Sequence, residues 1–212
     1  MPTHTASKFS FRNTLRRFRR HRRGSAMIEF ALVAPIFLAL LFAIVEVAIM
    51  FFAGQVLETT VQDSSRVIRT GQAQSGGVAI CKVPDPANPG QYITACSQAT
   101  FKQLVCNNVP ALFDCSKLYV DVKCYTSGNT SGCTTGGFGQ VALSSHINSD
   151  GTFNPTTGYN AGGADDIVVV QLFYLWPQFV TKLGFKFTNI GDQRLLVGTA
   201  VFKNEPFSGG GS

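Results

Sequence analysis

Two groups of residues in this chain are of types that could do chemistry. One is a set of six cysteines, Cys81, Cys96, Cys106, Cys115, Cys124 and Cys133; the other is Gly24, Ser25 and the carboxylate Glu29, at the start of a long apolar run. An even number of thiols confined to one part of a chain is the pattern of disulfides formed in an oxidising compartment. The spacings of 15, 10, 9, 9 and 9 residues contain no Cys-x-x-Cys pair, and His146 stands alone near them, so no metal site is expected. Sequential pairing is expected, Cys81 with Cys96, Cys106 with Cys115 and Cys124 with Cys133, because each bond closes a short loop and contributes about 2 to 3 kcal/mol in the chain-entropy picture. No nucleophile elbow, phosphate-binding loop or His-Glu metal motif accompanies these residues. The reading is therefore not of an enzyme, and it calls for no cofactor; His146 is expected as a surface loop residue.

Glu29 is informative because of its surroundings. From Ala26 to Ala53 the only ionisable residues are Glu29 and Glu46, and nothing polar interrupts Phe30 to Val45. About 27 helical residues at ~1.5 Å each cover ~40 Å, enough to cross a hydrocarbon core of ~30 Å with some tilt. Acids within such spans are usually functional. The plainer reading of Glu29 is a carboxylate one turn inside the interface, compensated by Arg22 or Arg23. Glu46, at the other end, reaches the outer headgroups or, as the lesser alternative, makes a helix–helix contact.

Charge orients the span. Of the 18 basic residues, Lys8, Arg12, Arg16, Arg17, Arg19, Arg20, Arg22 and Arg23 precede Gly24, and no acid does, so 10 basic and 12 acidic residues remain after it. The net +6 belongs to the leader. The rest lacks the basic excess of a nucleic-acid-binding face, and no nucleic-acid partner is expected. The positive-inside rule puts residues 1–24 in the cytoplasm and the domain after the span outside. A secretory signal would have a shorter apolar region and a small-residue cleavage site after it.

The elements that must position these residues follow from patterning. Val56, Leu57, Val61, Val67 and Ile68 continue a helical stripe that Thr70-Gly71 stops, giving one helix from Ser25 to Thr70 with Pro35 as a kink. Within it, 25–54 is the span and 55–71 an amphipathic stalk. Residues 72–207 form the external domain, and 208–212 a flexible tail or linker. Inside the domain, 72–97 reads as a loop held by Cys81 and Cys96, and Ala99 to Asn107 as a short helix. Lys117 to Tyr125 alternates as a strand, and 126–163, with a brief apolar interval at Phe138 to Leu143 and a formal sequon at Asn129, reads as loop or partly mobile. Asp166 to Trp176 has the continuous apolar run of a strand buried on both sides, with Arg194 to Phe202 as its antiparallel partner. Pro177 to Gly191 is an amphipathic excursion that packs either on the domain or against the membrane. The fold class is α+β: a long N-terminal transmembrane and amphipathic α-helix followed by a small disulfide-rich domain with an antiparallel β-sheet.

The run Arg23-Gly-Ser-Ala-Met-Ile-Glu-Phe-Ala-Leu-Val-Ala-Pro-Ile-Phe37, with glutamate at the fifth position after Gly24, resembles the processing site of TadE-like proteins. These are minor pseudopilins of the Tad (tight adherence, Flp-type) pilus system, and Val201-Phe-Lys-Asn-Glu-Pro-Phe207 supports the likeness. The resemblance implies cleavage between Gly24 and Ser25 by a prepilin peptidase, and an assembly role for Glu29. It also implies a bacterial inner membrane with the external domain in the periplasm, a place there beside the major pilin, other pseudopilins and the Tad secretion machinery in inner-membrane lipid, and association with the pilus. The alternative is an uncleaved single-pass envelope protein whose external domain binds a partner.

Overall fold

The computed structural model describes residues 24–76, 78–84, 90, 92–93, 95–126, 133–135, 146–178, 188–191 and 193–207. The basic leader before Gly24, the sequon at Asn129, the apolar interval 138–143, most of the excursion after Pro177 and the tail after Phe207 lie outside them. Two compact units divide between Val45 and Glu46.

The first helix, α1, runs Ser25–Arg69 with Pro35 inside it. It is long and apolar enough to cross a membrane, by length and composition. Its residues up to Phe52 present large apolar side chains outward, among them Met27, Phe30, Leu32, Ile36 and Phe42. From Ala53 the helix changes character, with Ala53, Leu57, Thr60, Val61, Ser64, Ser65 and Ile68 buried. These positions recur every three or four residues, so one stripe of this second part enters a core. Thr60, Ser64 and Ser65 make the buried stripe partly polar, which an apolar pattern does not detect. The Thr60 hydroxyl donates to Val56 O at 2.8 Å, satisfying its polar atom within the helix.

Gly71 ends α1. It has φ +75°, and its N–H bonds Ile68 O at 3.0 Å. Only glycine takes that left-handed conformation without cost, so the stop expected at Thr70-Gly71 has a backbone reason. A four-residue helix, α2 (Gln72–Ser75), a 3₁₀ turn at Ala79–Cys81 and the paired strands β1 (Val83–Pro84) and β2 (Tyr92–Ile93) follow. The stretch expected as loop thus carries short structure, of a length that composition cannot signal. Helix α3 (Gln98–Asn108) opens on a reciprocal cap in which Ser97 Oγ accepts from Thr100 N at 3.3 Å and Thr100 Oγ1 accepts from Ser97 N at 2.8 Å.

The main sheet holds β3 (Leu118–Thr126), β4 (Thr134–Thr135), β5 (Ile167–Pro177) and β6 (Gln193–Lys203), in the order β4-β3-β5-β6. The long pairs are antiparallel: Leu118 lies opposite Tyr174, and Trp176 opposite Arg194. Only the two-residue β4 joins in parallel. Alternation along the strands then assigns two faces. One carries Val120, Val122, Val168, Val170, Leu172, Tyr174, Trp176 and Leu196 against Leu57, Val61 and Ile68 of α1 and Phe101 and Val105 of α3. The other gathers Phe173, Ile190 and Leu195 with Tyr119, Phe153, Leu175 and Val197. With both faces covered, β5 is buried along nearly its whole length, as its unbroken apolar run predicts.

Residues 146–163 carry no named helix or strand, as the loop reading expects, yet they are bonded to the sheet. Ile147 pairs with Phe153, and Val122 N and O bond Gly158 O and Asn160 N at 2.9 Å each, so the segment is tied to β3. His146, expected on the surface, is 1% exposed, with its ring centroid 4.4 Å from that of Phe173.

Candidate functional site

Gly24, Ser25 and Glu29 come together at the start of α1. Ser25 is the first helical residue and Gly24 immediately precedes it. A Cβ at Gly24 would meet nothing within 4 Å, so the peptide bond after it is sterically open on that side. Glu29 is four residues into the helix beyond Ser25, hence ~6 Å along the axis on the same face, and it is exposed. An amine created at Ser25 and the Glu29 carboxylate would therefore present opposite charges on one stripe of the helix.

The cysteines sit in the second unit and pair sequentially: Cys81–Cys96, Cys106–Cys115 and Cys124–Cys133, with Cα separations of 4.7, 5.9 and 5.0 Å. No free cysteine remains. The first bond clips the α2–β2 region, the second joins the end of α3 to the turn before β3, and the third holds β3 to the start of β4. They are structural staples in a domain of modest core.

Two further places could hold chemistry. The first is a buried polar cluster beneath the 146–160 segment. Asp121, 1% exposed, accepts from Gly158 N at 2.7 Å and pairs with Lys123 Nζ at 2.8 Å, and His146 Nε2 lies 3.3 Å from its Oδ2. Burial pushes the His146 pKa below the ordinary imidazole value, against the opposing pull of Asp121. Among the described residues, no serine, threonine or cysteine is hydrogen-bonded to this histidine. The second is a pocket of about 450 Å³ lined by Tyr119, Thr152, Phe153, Pro155, Leu175, Ile190, Gly191 and Gln193, which is largely apolar. Among the described residues no group of three or more His, Cys, Asp or Glu is placed to hold a metal ion.

Sequence reasoning singled out 201–207 only for its likeness and missed that Asn204, Glu205 and Phe207 lock this segment to the end of α1. Asn204 is buried; its Nδ2 donates to Ala161 O at 2.9 Å and Gly163 O at 2.7 Å, and its N–H to Asp166 O at 2.8 Å. Glu205 N donates to Arg69 O at 2.9 Å, and the ring of Phe207 lies against Gly71 where any Cβ would overlap it. The Asn-Glu-Pro-Phe sequence at 204–207 is thus a clasp. Its signal was the lone asparagine after an apolar strand, which a buried bidentate amide explains only once its carbonyl partners are known.

Comparison with curated proteins and with solved structures found no match. A family model described as TadE-like protein matches residues 24–66, which are 43 of the 212 residues and take in Gly24, Ser25, Glu29 and α1 as far as Arg66. Through that segment, which opens at the Gly24–Ser25 junction, the chain is similar to the TadE-like proteins.

Proposed function

We propose that this protein is a minor pseudopilin of a Tad-type pilus. The likeness of residues 24–66 to TadE-like proteins supports a role in Tad pilus assembly. The finer reading is that a prepilin peptidase cuts between Gly24 and Ser25, that the basic leader stays in the cytoplasm, and that α1 anchors the mature protein in the inner membrane with its disulfide-bonded domain in the periplasm. Its partners are then the major pilin, other pseudopilins and the secretion machinery, and its work is assembly, with no catalysis of its own.

The observation that carries this reading is the registry at the start of α1. The matched segment begins at the residue that precedes the helix, and the one nearby carboxylate stands a single turn further on. Cleavage would discard eight positive charges and leave one ammonium at Ser25. Between that ammonium on one subunit and Glu29 on a neighbour, at ~4 Å and an effective dielectric of ~20, attraction amounts to ~4 kcal/mol before desolvation. A paired carboxylate favours one register of adjacent helices; an unpaired one in lipid is costly.

The test is Glu29→Ala in cells that make the pilus. The variant should still insert and accumulate, while sheared pili fall by about tenfold or more, the effect of losing ~1.4 kcal/mol or more per assembly contact. Normal pilus yield with the variant would contradict the assembly role of Glu29.

A further inference from the structure

The three disulfides share a property of order. Each joins two cysteines that are consecutive along the chain, so no other cysteine lies inside any of the closed loops. All of them precede the two strands that complete the main sheet: Cys133 is the last cysteine, β5 begins at Ile167 and β6 at Gln193. The sulfurs nevertheless end beneath those later elements. Cys81, Cys96 and Cys124 are 0%, 7% and 2% exposed and belong to the core cluster that holds Val170, Leu172 and Leu196. Over the third bond, a Cβ at Gly162 would stand 3.1 Å from the Cys124 Cβ, and Asp166 Oδ2 lies 3.7 Å from Cys133 Sγ.

Disulfides form by attack of a thiolate on sulfur, which requires access to that sulfur. A protein oxidant has no access to Cys81 or Cys124 once β5 and β6 have packed, so these bonds close on a chain whose sheet is unfinished. The finished sheet therefore does not select the partners. Loop entropy does not select them either. Moving the pairing by one cysteine would join Cys96 with Cys106 and Cys115 with Cys124, at separations of 10 and 9 residues, against 15, 9 and 9 in the structure. Closure entropy alone favours Cys96 with Cys106 over Cys81 with Cys96 by about 2-fold. Order of appearance does select: met one at a time from the N-terminal side, Cys81 awaits Cys96, Cys106 awaits Cys115 and Cys124 awaits Cys133.

We propose that a protein dithiol oxidase closes these bonds in chain order as the domain emerges across the membrane, before β5 and β6 are in place and without a disulfide isomerase. For each bond, the thiolate of the earlier cysteine attacks the oxidase disulfide and forms a mixed disulfide, releasing one oxidase thiolate. The later cysteine then attacks the chain sulfur of that mixed disulfide and releases the second. Two cysteine thiols are oxidised, and two electrons and two protons pass to the oxidase, whose disulfide becomes a dithiol. At ~5–20 residues per second, Cys96 follows Cys81 within about 1 to 3 s. The inference rests on the reading that the domain after α1 is exported.

The full chain and its Cys96→Ser variant are pulse-labelled in cells that possess such an oxidase and lack disulfide isomerase. Thiols are quenched in acid and alkylated at once, and the bonds are mapped by peptide mass, which reads pairing whether or not the variant goes on to fold. The parent should carry the three consecutive pairs. In Cys96→Ser the whole register should shift, to Cys81 with Cys106 and Cys115 with Cys124, leaving Cys133 as the free thiol. A variant that keeps Cys106 with Cys115 and Cys124 with Cys133 overturns this inference alone, because native structure is then choosing the partners. A parent that joins Cys96 with Cys106 in these cells does the same. A parent with all six cysteines reduced overturns the export reading, and this inference with it.

Discussion

His146 shows how a single residue escapes a sequence reading. It sits in a stretch rich in Gly, Ser, Thr and Asn, with no periodicity, where a surface position is the natural expectation. The pairing of Ile147 with Phe153 instead lays it over Phe173, with Asp121 and Lys123 as the charged groups beside it. Asp121 was equally hidden, because alternation along β3 marks it as polar and outward when that face is in fact covered. The burial has a pH consequence. The folded state holds imidazole neutral below its ordinary value of ~6.5, so as pH falls through ~6.5 the unfolded chain takes up a proton that the folded chain does not. The contribution is complete above the unfolded value and is lost as pH falls below it. Thermal melts of the protein in detergent should show a lower Tm at pH ~5 than at pH ~7.5, and His146→Gln should flatten that difference. An equal pH dependence in both proteins would contradict this assignment.

At the scale of elements, the long ones were legible and the short ones were not. The apolar run and the Thr70-Gly71 stop define α1 to within a residue, and the β-branched runs define β3, β5 and β6 to within one or two. α2, β1 and β2 have two to four residues each, too few for any period to register, and the Cys81–Cys96 bond closes the loop that carries β1 and β2. The packing of β6 on α1 was also invisible, since it depends on an absent side chain. A Cβ at Gly198 would stand 3.0 Å from Leu57 O, a backbone atom that cannot swing aside. Gly198→Ala should therefore push β6 off α1 and destabilise the domain by about 1 to 3 kcal/mol. Denaturant melts at constant m-value check this, and a variant as stable as the parent would show that the two elements separate freely.

For the whole molecule, charge and function divide at the same place. The excess positive charge precedes Gly24, a helix long and apolar enough to cross a membrane follows, and the disulfides all lie in the second unit. The candidate site was legible because it is local: Gly24, Ser25 and Glu29 are within six residues, and their relation needs only a helix to be set. The C-terminal clasp and the buried Asp121–His146 contact were not, because each joins segments far apart in sequence. The central claim is processing at the junction that these three residues form. Its most direct measurement is the intact mass and N-terminal residue of the protein extracted from membranes of cells that carry the prepilin peptidase. The account predicts a chain that begins at Ser25 and has lost the whole basic leader. A chain that still begins at Met1 or Pro2 in those cells would contradict it and favour an uncleaved membrane-anchored protein.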